Sequence, residues 1–225
     1  MRRETGVRWL CYILGMLTLA LGISLNTKTG LGTAPITAVG LCLAQLLGMS
    51  FGDVILVLYV LFVAVQIALR GRGNRLPELL QLPLSLVFSR ALNLYDGWIT
   101  YDSALHGLGS NLAVLLLAIF LTGLGVSVTV NMRLVPNPGD GIVAALAQRM
   151  GWEQGFSKNV FDMICVLVTC AISLAQTGRV VGIGVGTVAA MVGTGRVVAL
   201  ANRLLREKMC RWAGLEAPAR REAAR

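Results

Sequence analysis

Apolar residues fill this chain in long stretches, and polar residues collect at a few places between them. The pattern predicts six long helices, at Trp9–Leu25, Gly52–Leu69, Leu79–Leu94, Leu112–Val130, Phe156–Leu174 and Val180–Leu204. Two shorter ones are predicted at Pro35–Leu47 and Pro138–Met150. At about 1.5 Å per residue the short pair reaches only roughly 20 Å, less than the roughly 30 Å hydrocarbon core of a bilayer. Each short helix follows a break. Arg133–Gly141 reads Arg-Leu-Val-Pro-Asn-Pro-Gly-Asp-Gly, and no helix runs through it: Pro136 and Pro138 lack backbone donors, while Gly139 and Gly141 tolerate unusual dihedrals. Gly30–Ala34, with Gly32 inside it and Pro35 after it, is the earlier break. Lipid offers no hydrogen bonds, so such backbone persists at membrane depth only where protein covers it or water reaches it.

The two breaks are related by an internal repeat. At an offset of 103, Leu21-Gly22-x-Ser24 aligns with Leu124-Gly125-x-Ser127, Leu31 with Leu134, and Pro35 with Pro138. Leu43-Ala44-Gln45-x-x-Gly48-x-x-x-Gly52 then falls on Leu146-Ala147-Gln148-x-x-Gly151-x-x-x-Gly155 without a gap. Arg90 meets Arg196 when the offset drifts to 106. A shared Leu-Ala-Gln, two glycines and a proline point to duplication more than to chance. The chain therefore divides into a first repeat (1–106), a second repeat (107–205) and a basic tail (206–225).

Composition agrees with a polytopic all-α membrane protein: 56% of the residues are hydrophobic and the mean hydropathy is +0.72. The net charge of +9 sits at the edges, in Arg2, Arg3 and Arg8, in Arg70, Arg72 and Arg75, and in the tail from Arg203. That is the positive-inside pattern, and no basic run interleaved with aromatics suggests nucleic acid as a partner. Charge also chooses between topologies. Eight spans would put the Arg70–Arg75 loop outside. If the short helices are instead re-entrant, six spans remain, the halves are inverted, and the basic loops and both termini lie on the cytoplasmic side of the inner membrane. We favour the second: three spanning helices and one re-entrant helix per half.

In that arrangement two helix N-termini, each worth roughly +0.5 charge, converge near the bilayer centre. Thr33, Thr37, Asn137 and Asp140 are the polar groups there, candidates for solute binding or simply for helix capping. Asp140 could instead bind a cation or carry a proton. Asp162, about two turns into its helix, is a second candidate for proton or ion coupling, or an ion-pair partner of Lys158 or Arg133. Arg90 and Arg196 lie within apolar segments, where a guanidinium needs a partner: Arg90 is a candidate substrate ligand, and Arg196 is better read as snorkelling or paired. Ser24, Asn26, Ser127, Thr129 and Asn131 line the approach to the breaks.

Five cysteines without Cys-x-x-Cys spacing read as small core residues, and a lone His106 makes a metal site improbable. Val181-Gly-Ile-Gly-Val-Gly-Thr187 lacks the lysine of a phosphate-binding loop and reads as small residues for close packing. No Ser-His-Asp or Cys-His constellation occurs, so neither enzymatic activity nor a cofactor is expected.

Leu134-Val-Pro-Asn-Pro-Gly-Asp-Gly-Ile-Val143, followed by Gly151 and Lys158-Asn-Val-Phe-Asp162, resembles the YczE/YyaS/YitT family of bacterial integral membrane proteins. Gly30-Leu-Gly-Thr-Ala-Pro-Ile-Thr37 is similar to that family's first-half motif, and the likeness runs from about Trp9 to Leu205. Gly193-Thr-Gly-Arg196 lacks the Pro and Asp of the family's usual ending, so no role attached to that ending carries over. The resemblance implies a bacterial inner-membrane protein grouped with small-molecule exporters, or a membrane accessory of natural-product biosynthesis. The expected function is secondary transport or export of a small polar or amphipathic solute, with a non-transporting scaffold for a cytoplasmic enzyme as the rival. The lipid bilayer and an unidentified solute are the expected partners, and homo-oligomerisation is left open.

Overall fold

A computed structural model describes residues 2–71 and 76–215. Arg72, Arg75 and the tail beyond residue 215, which carry part of the expected charge asymmetry, lie outside the described residues. Among the described residues eight α-helices follow one another: α1 (Arg2–Lys28), α2 (Pro35–Leu47), α3 (Phe51–Arg70), α4 (Leu76–Trp98), α5 (Leu108–Asn131), α6 (Pro138–Met150), α7 (Gln154–Thr177) and α8 (Val185–Trp212). One turn of 3₁₀ helix, Ser103–Leu105, precedes α5, and no strand is present among the described residues. Five helices, α1, α3, α5, α7 and α8, are long and apolar enough to cross a membrane. Their outward side chains include Val57, Leu61, Leu116, Phe120, Leu167 and Val188, the surface a bilayer requires. The fold is thus a multi-pass helical membrane protein.

The short helices begin and end where the prolines and glycines predict. Pro35 and Pro138 each occupy the first turn, where a missing donor costs nothing, and each helix closes on a left-handed glycine, Gly48 (φ 63°) or Gly151 (φ 69°). The long helices extend beyond the expected apolar cores. α8 starts at Val185, not Val180, because the residues before it are bonded to the first break: Thr33 N–H donates to the Gly182 carbonyl (2.9 Å), and Gly186 N–H to that of Leu31 (2.8 Å). Gly184 and Gly186 therefore pack against the backbone of the first break, and Gly182 against Ala38 of α2.

α4 was expected as a sixth span, yet it is less apolar than the five, carrying Glu78, Arg90 and Asp96. Each is paired: Glu78 with Arg70, Arg90 with Asp53 (3.0 Å), and Asp96 with Lys28 (2.7 Å). The last pair joins the C-terminal ends of α1 and α4, so these two helices finish on the same side.

α1 and α5 form the central pair and run antiparallel, with Arg8 donating to the Met132 carbonyl (2.9 Å) and Tyr12 to that of Val135 (2.9 Å). Their crossing depends on two glycines. A Cβ on Gly22 would lie 2.6 Å from Thr122 N and 2.9 Å from Ala118 O, and one on Gly125 would lie 2.5 Å from Leu19 N and 2.7 Å from Gly15 O. These are the same contacts with the helices exchanged, since Gly15, Leu19 and Gly22 precede Ala118, Thr122 and Gly125 by 103 positions. Around this pair α3 packs on α4 and α6, α2 on α7, and α5 on α8.

Candidate functional site

The starts of α2 and α6 meet at one cavity of about 320 Å³, within the usual size of a small-molecule pocket. Leu19, Ile23, Ile36, Val126, Met191 and Val198 give it apolar walls, and Tyr59, Asn137, Asp140, Lys158 and Asp162 form a polar corner. Much of its lining falls in pairs at one sequence offset. Leu19 and Thr122, Ile23 and Val126, Ala34 and Asn137, Ile36 and Gly139, Thr37 and Asp140, and Tyr59 and Asp162 all line it, each pair 103 positions apart.

The two helix starts are chemically unequal. On α6, the Asn137 side chain accepts from Gly139 N–H (2.9 Å), and Asp140 puts a carboxylate in the first turn. On α2, the N-cap is Ala34, no side chain caps the helix, and the first turn holds no acidic residue. Thr37 instead donates its hydroxyl to the Ala34 carbonyl (2.7 Å). α6 therefore satisfies its own positive end, whereas α2 leaves backbone donors at the cavity.

Lys158 and Asp162 face one another across a turn of α7, with Nζ 2.9 and 3.0 Å from the two carboxylate oxygens. Asp162 is buried and Lys158 is half-exposed. Both lie within electrostatic range of Asp140, and the Tyr59 hydroxyl lies beside Asn137. Asp140 makes no hydrogen bond or ion pair among the described residues. The corner thus holds two carboxylates and one ammonium, with the ammonium already engaged.

Of the residues singled out in the sequence, Thr37, Asn137, Asp140 and Asp162 come together here, with Pro35 and Gly139 beside them. Pro136 and Pro138 line a much smaller neighbouring space of about 20 Å³ between α1, α4 and the second break. Thr33 is buried outside the cavity, in the first break, where Gly32 has φ 102°. Arg90 lies outside it too, exposed and paired with Asp53, as does Arg196, exposed on α8. Gly141 admits Gln66, whose Oε1 would lie 2.4 Å from an added Cβ.

Gln66 and its partner Gln81 were not apparent in the sequence. Fully buried, they exchange amide hydrogen bonds at 3.0 and 3.2 Å, and Gln66 also donates to the Pro138 carbonyl (3.2 Å), fixing the start of α6 to α3. The signal was present: glutamine inside an apolar helix is expensive unless its amide is satisfied. Tyr59 was missed for a different reason, because a tyrosine in an apolar run looks like core until Asp162, 103 positions on and lining the same cavity, is set beside it.

Comparison with known proteins adds ancestry. The model of DUF6198, a family of unknown function, matches residues 6–203. The uncharacterized membrane protein YczE of Bacillus subtilis (strain 168) is 26% identical over 199 residues, covering 88% of this chain and 86% of that protein. The uncharacterized protein YyaS of the same organism is 27% identical over 135 residues, covering 60% of this chain and 65% of its own length. No solved structure matches the chain.

Proposed function

The chain belongs to the DUF6198 family, with YczE and YyaS among its relatives, and from that premise we propose that it is a secondary transporter or exporter of a small polar or amphipathic solute. The carrying observation is the cavity of about 320 Å³ where the two break-derived helices meet, with Asp140, Lys158 and Asp162 in one corner. A scaffold has no need of a ligand-sized space lined by ionisable groups at membrane depth, where each is costly. Thr37, Asn137 and Asp140 bind the solute, and Asp140 and Asp162 couple its movement to protons. Thr33 and Arg90 serve the breaks and the helix pairs instead. The chemistry needs no cofactor, and the protein is not an enzyme.

The transport reading goes with an inverted repeat of two halves, 1–106 and 107–205. In its support, the contacts at Gly22 and Gly125 exchange under the offset of 103, and an axis that exchanges two antiparallel helices runs across them, in the membrane plane. The Lys28–Asp96 pair supports it too, because with α3 and α4 both crossing, α1 and α4 end on one face when α2 turns back before crossing. Six spans then place both termini in the cytoplasm of a bacterial cell.

Proteoliposomes loaded with a pH-sensitive dye, held under a pH gradient and challenged with a library of small amphipathic solutes, test this. A solute-driven proton flux is expected, abolished by Asp140→Asn and by Asp162→Asn in protein that remains monodisperse. Normal flux in both variants would remove the proposed site.

A further inference from the structure

The cavity's chemistry narrows the solute further, on the premise that it is the transport site. We infer that it takes a small amphipathic amine: one ammonium, one hydrogen-bond acceptor and an apolar body.

The ammonium follows from the charge count. Lys158 directs its Nζ to both oxygens of Asp162, so those two charges cancel locally. Asp140, within electrostatic range of both, is left with no hydrogen bond or ion pair of its own among the described residues, facing a cavity whose other walls are mostly apolar. A carboxylate with no ion-pair partner of its own in such surroundings is stabilised most by a mobile cation. The acceptor follows from α2. Its uncapped start lines the same cavity through Ala34, Pro35, Ile36 and Thr37, and free backbone N–H groups there want an oxygen. The opposite end of the cavity cannot serve this purpose, since Asn137 already caps α6.

The apolar body follows from the walls and from the route in. Lys158 and Asp162 of α7 and Ala190, Met191, Thr194, Gly195 and Val198 of α8 line the cavity, yet α7 is not packed against α8 as α3 is against α4. A molecule that partitions into the bilayer reaches the space between those two helices directly. An anion fits poorly, because two carboxylates outnumber the one ammonium and the α6 dipole is already answered by Asp140.

Tyramine carries all three parts, and close relatives lack one each. Phenethylamine has no hydroxyl, 4-ethylphenol has no ammonium, and 4-hydroxyphenylacetate replaces the cation by an anion. Calorimetric titration of the full chain in lipid nanodiscs at neutral pH is expected to show tyramine binding at least tenfold more tightly than 4-ethylphenol and several-fold more tightly than phenethylamine. No binding of 4-hydroxyphenylacetate is expected. Asp140→Asn brings tyramine down to the level of 4-ethylphenol, and Asp140→Glu restores the difference. Absence of tyramine binding, equal binding of 4-ethylphenol, or tighter binding of the anion would each overturn the amine, and these comparisons on the unaltered chain hold whether or not a variant folds. The two proposals fail separately. Tyramine bound but never moved in proteoliposomes leaves the site and removes transport, whereas an Asp140-dependent flux of an acid leaves transport and removes the amine.

Discussion

Tyr59 and Phe88 stack at 5.8 Å between α3 and α4, while the corresponding places 103 and 106 positions further on hold Asp162 and Thr194. Leu84 is likewise answered by Ala190 at the second offset. These replacements remove side-chain volume and add polarity on one side only. About 20 Å³ is left beside Phe88, against about 320 Å³ beside Thr194. The first half also packs its last two long helices together, and the second does not. Equal side chains at these positions would leave two equal spaces. Aromatics fill one side, held by the Gln66–Gln81 pair and the Phe88 stack, and the other side stays open.

The most severe test of that contrast is to copy the filled side onto the open one. Thr194→Phe puts an aromatic where Phe88 stands in the other half. Binding of tyramine and any solute flux are expected to fall at least a hundredfold, with the protein still monodisperse and no less stable, since filling a cavity adds contacts without disturbing a packed core. Unchanged binding in a folded Thr194→Phe protein would mean that the space beside α8 is not the site.

The reverse exchange comes next. Phe88→Thr empties the aromatic stack on a side already packed and is expected to destabilise the protein by about 3 kcal/mol, read by denaturant or thermal unfolding in detergent. It should create no second binding site, because no carboxylate or ammonium lines that space. A gain of tyramine binding would show that volume alone, and not the Asp140 corner, makes the site.

A smaller effect is expected at the tie between the halves. Gln66→Leu leaves Gln81 and the Pro138 carbonyl without their donor, a loss of about 1–3 kcal/mol. It also frees the start of α6, so tyramine affinity should drop several-fold even where the protein remains folded. Loss of stability with unaltered affinity would confine the amide pair to a packing role.

Much of the fold could be read from the sequence, because the strongest signals were covalent. Pro35, Pro138, Gly48 and Gly151 dictate where the short helices start and stop, and the bounds agree at both ends. The start of α8 was less legible, since apolar residues continue through Val180–Ile183, where Gly182 accepts from Thr33 N–H of the first break instead of continuing the helix. α4 was harder still: its charges look costly until Arg70, Asp53 and Lys28 are seen beside them. In the site, Asp140 and Asp162 stood out as acids in apolar sequence. Thr33 and Arg90 stood out for the same reason and lie elsewhere, because polarity marks a residue that needs a partner without saying which. Gln66 and Tyr59 gain meaning only from what faces them.

The gentlest test leaves function intact and asks how the two halves are oriented. In a background whose five native cysteines are replaced, Gly71→Cys reports the turn after α3 and Tyr101→Cys the segment between α4 and α5. Both lie away from the cavity lining, so activity should change less than twofold. If each short helix turns back before crossing, α4 alone separates the two positions. A membrane-impermeant maleimide applied to intact cells should then label the Tyr101→Cys protein and not the Gly71→Cys protein. With eight crossings α4 still separates them, but the labels exchange, since α2 would then add one crossing before both. The assay therefore reads the sign of the arrangement. With the N-terminus in the cytoplasm, labelling of the Gly71→Cys protein from outside would make the halves parallel and set the Lys28–Asp96 pair across the width of a membrane, where a 2.7 Å contact cannot form.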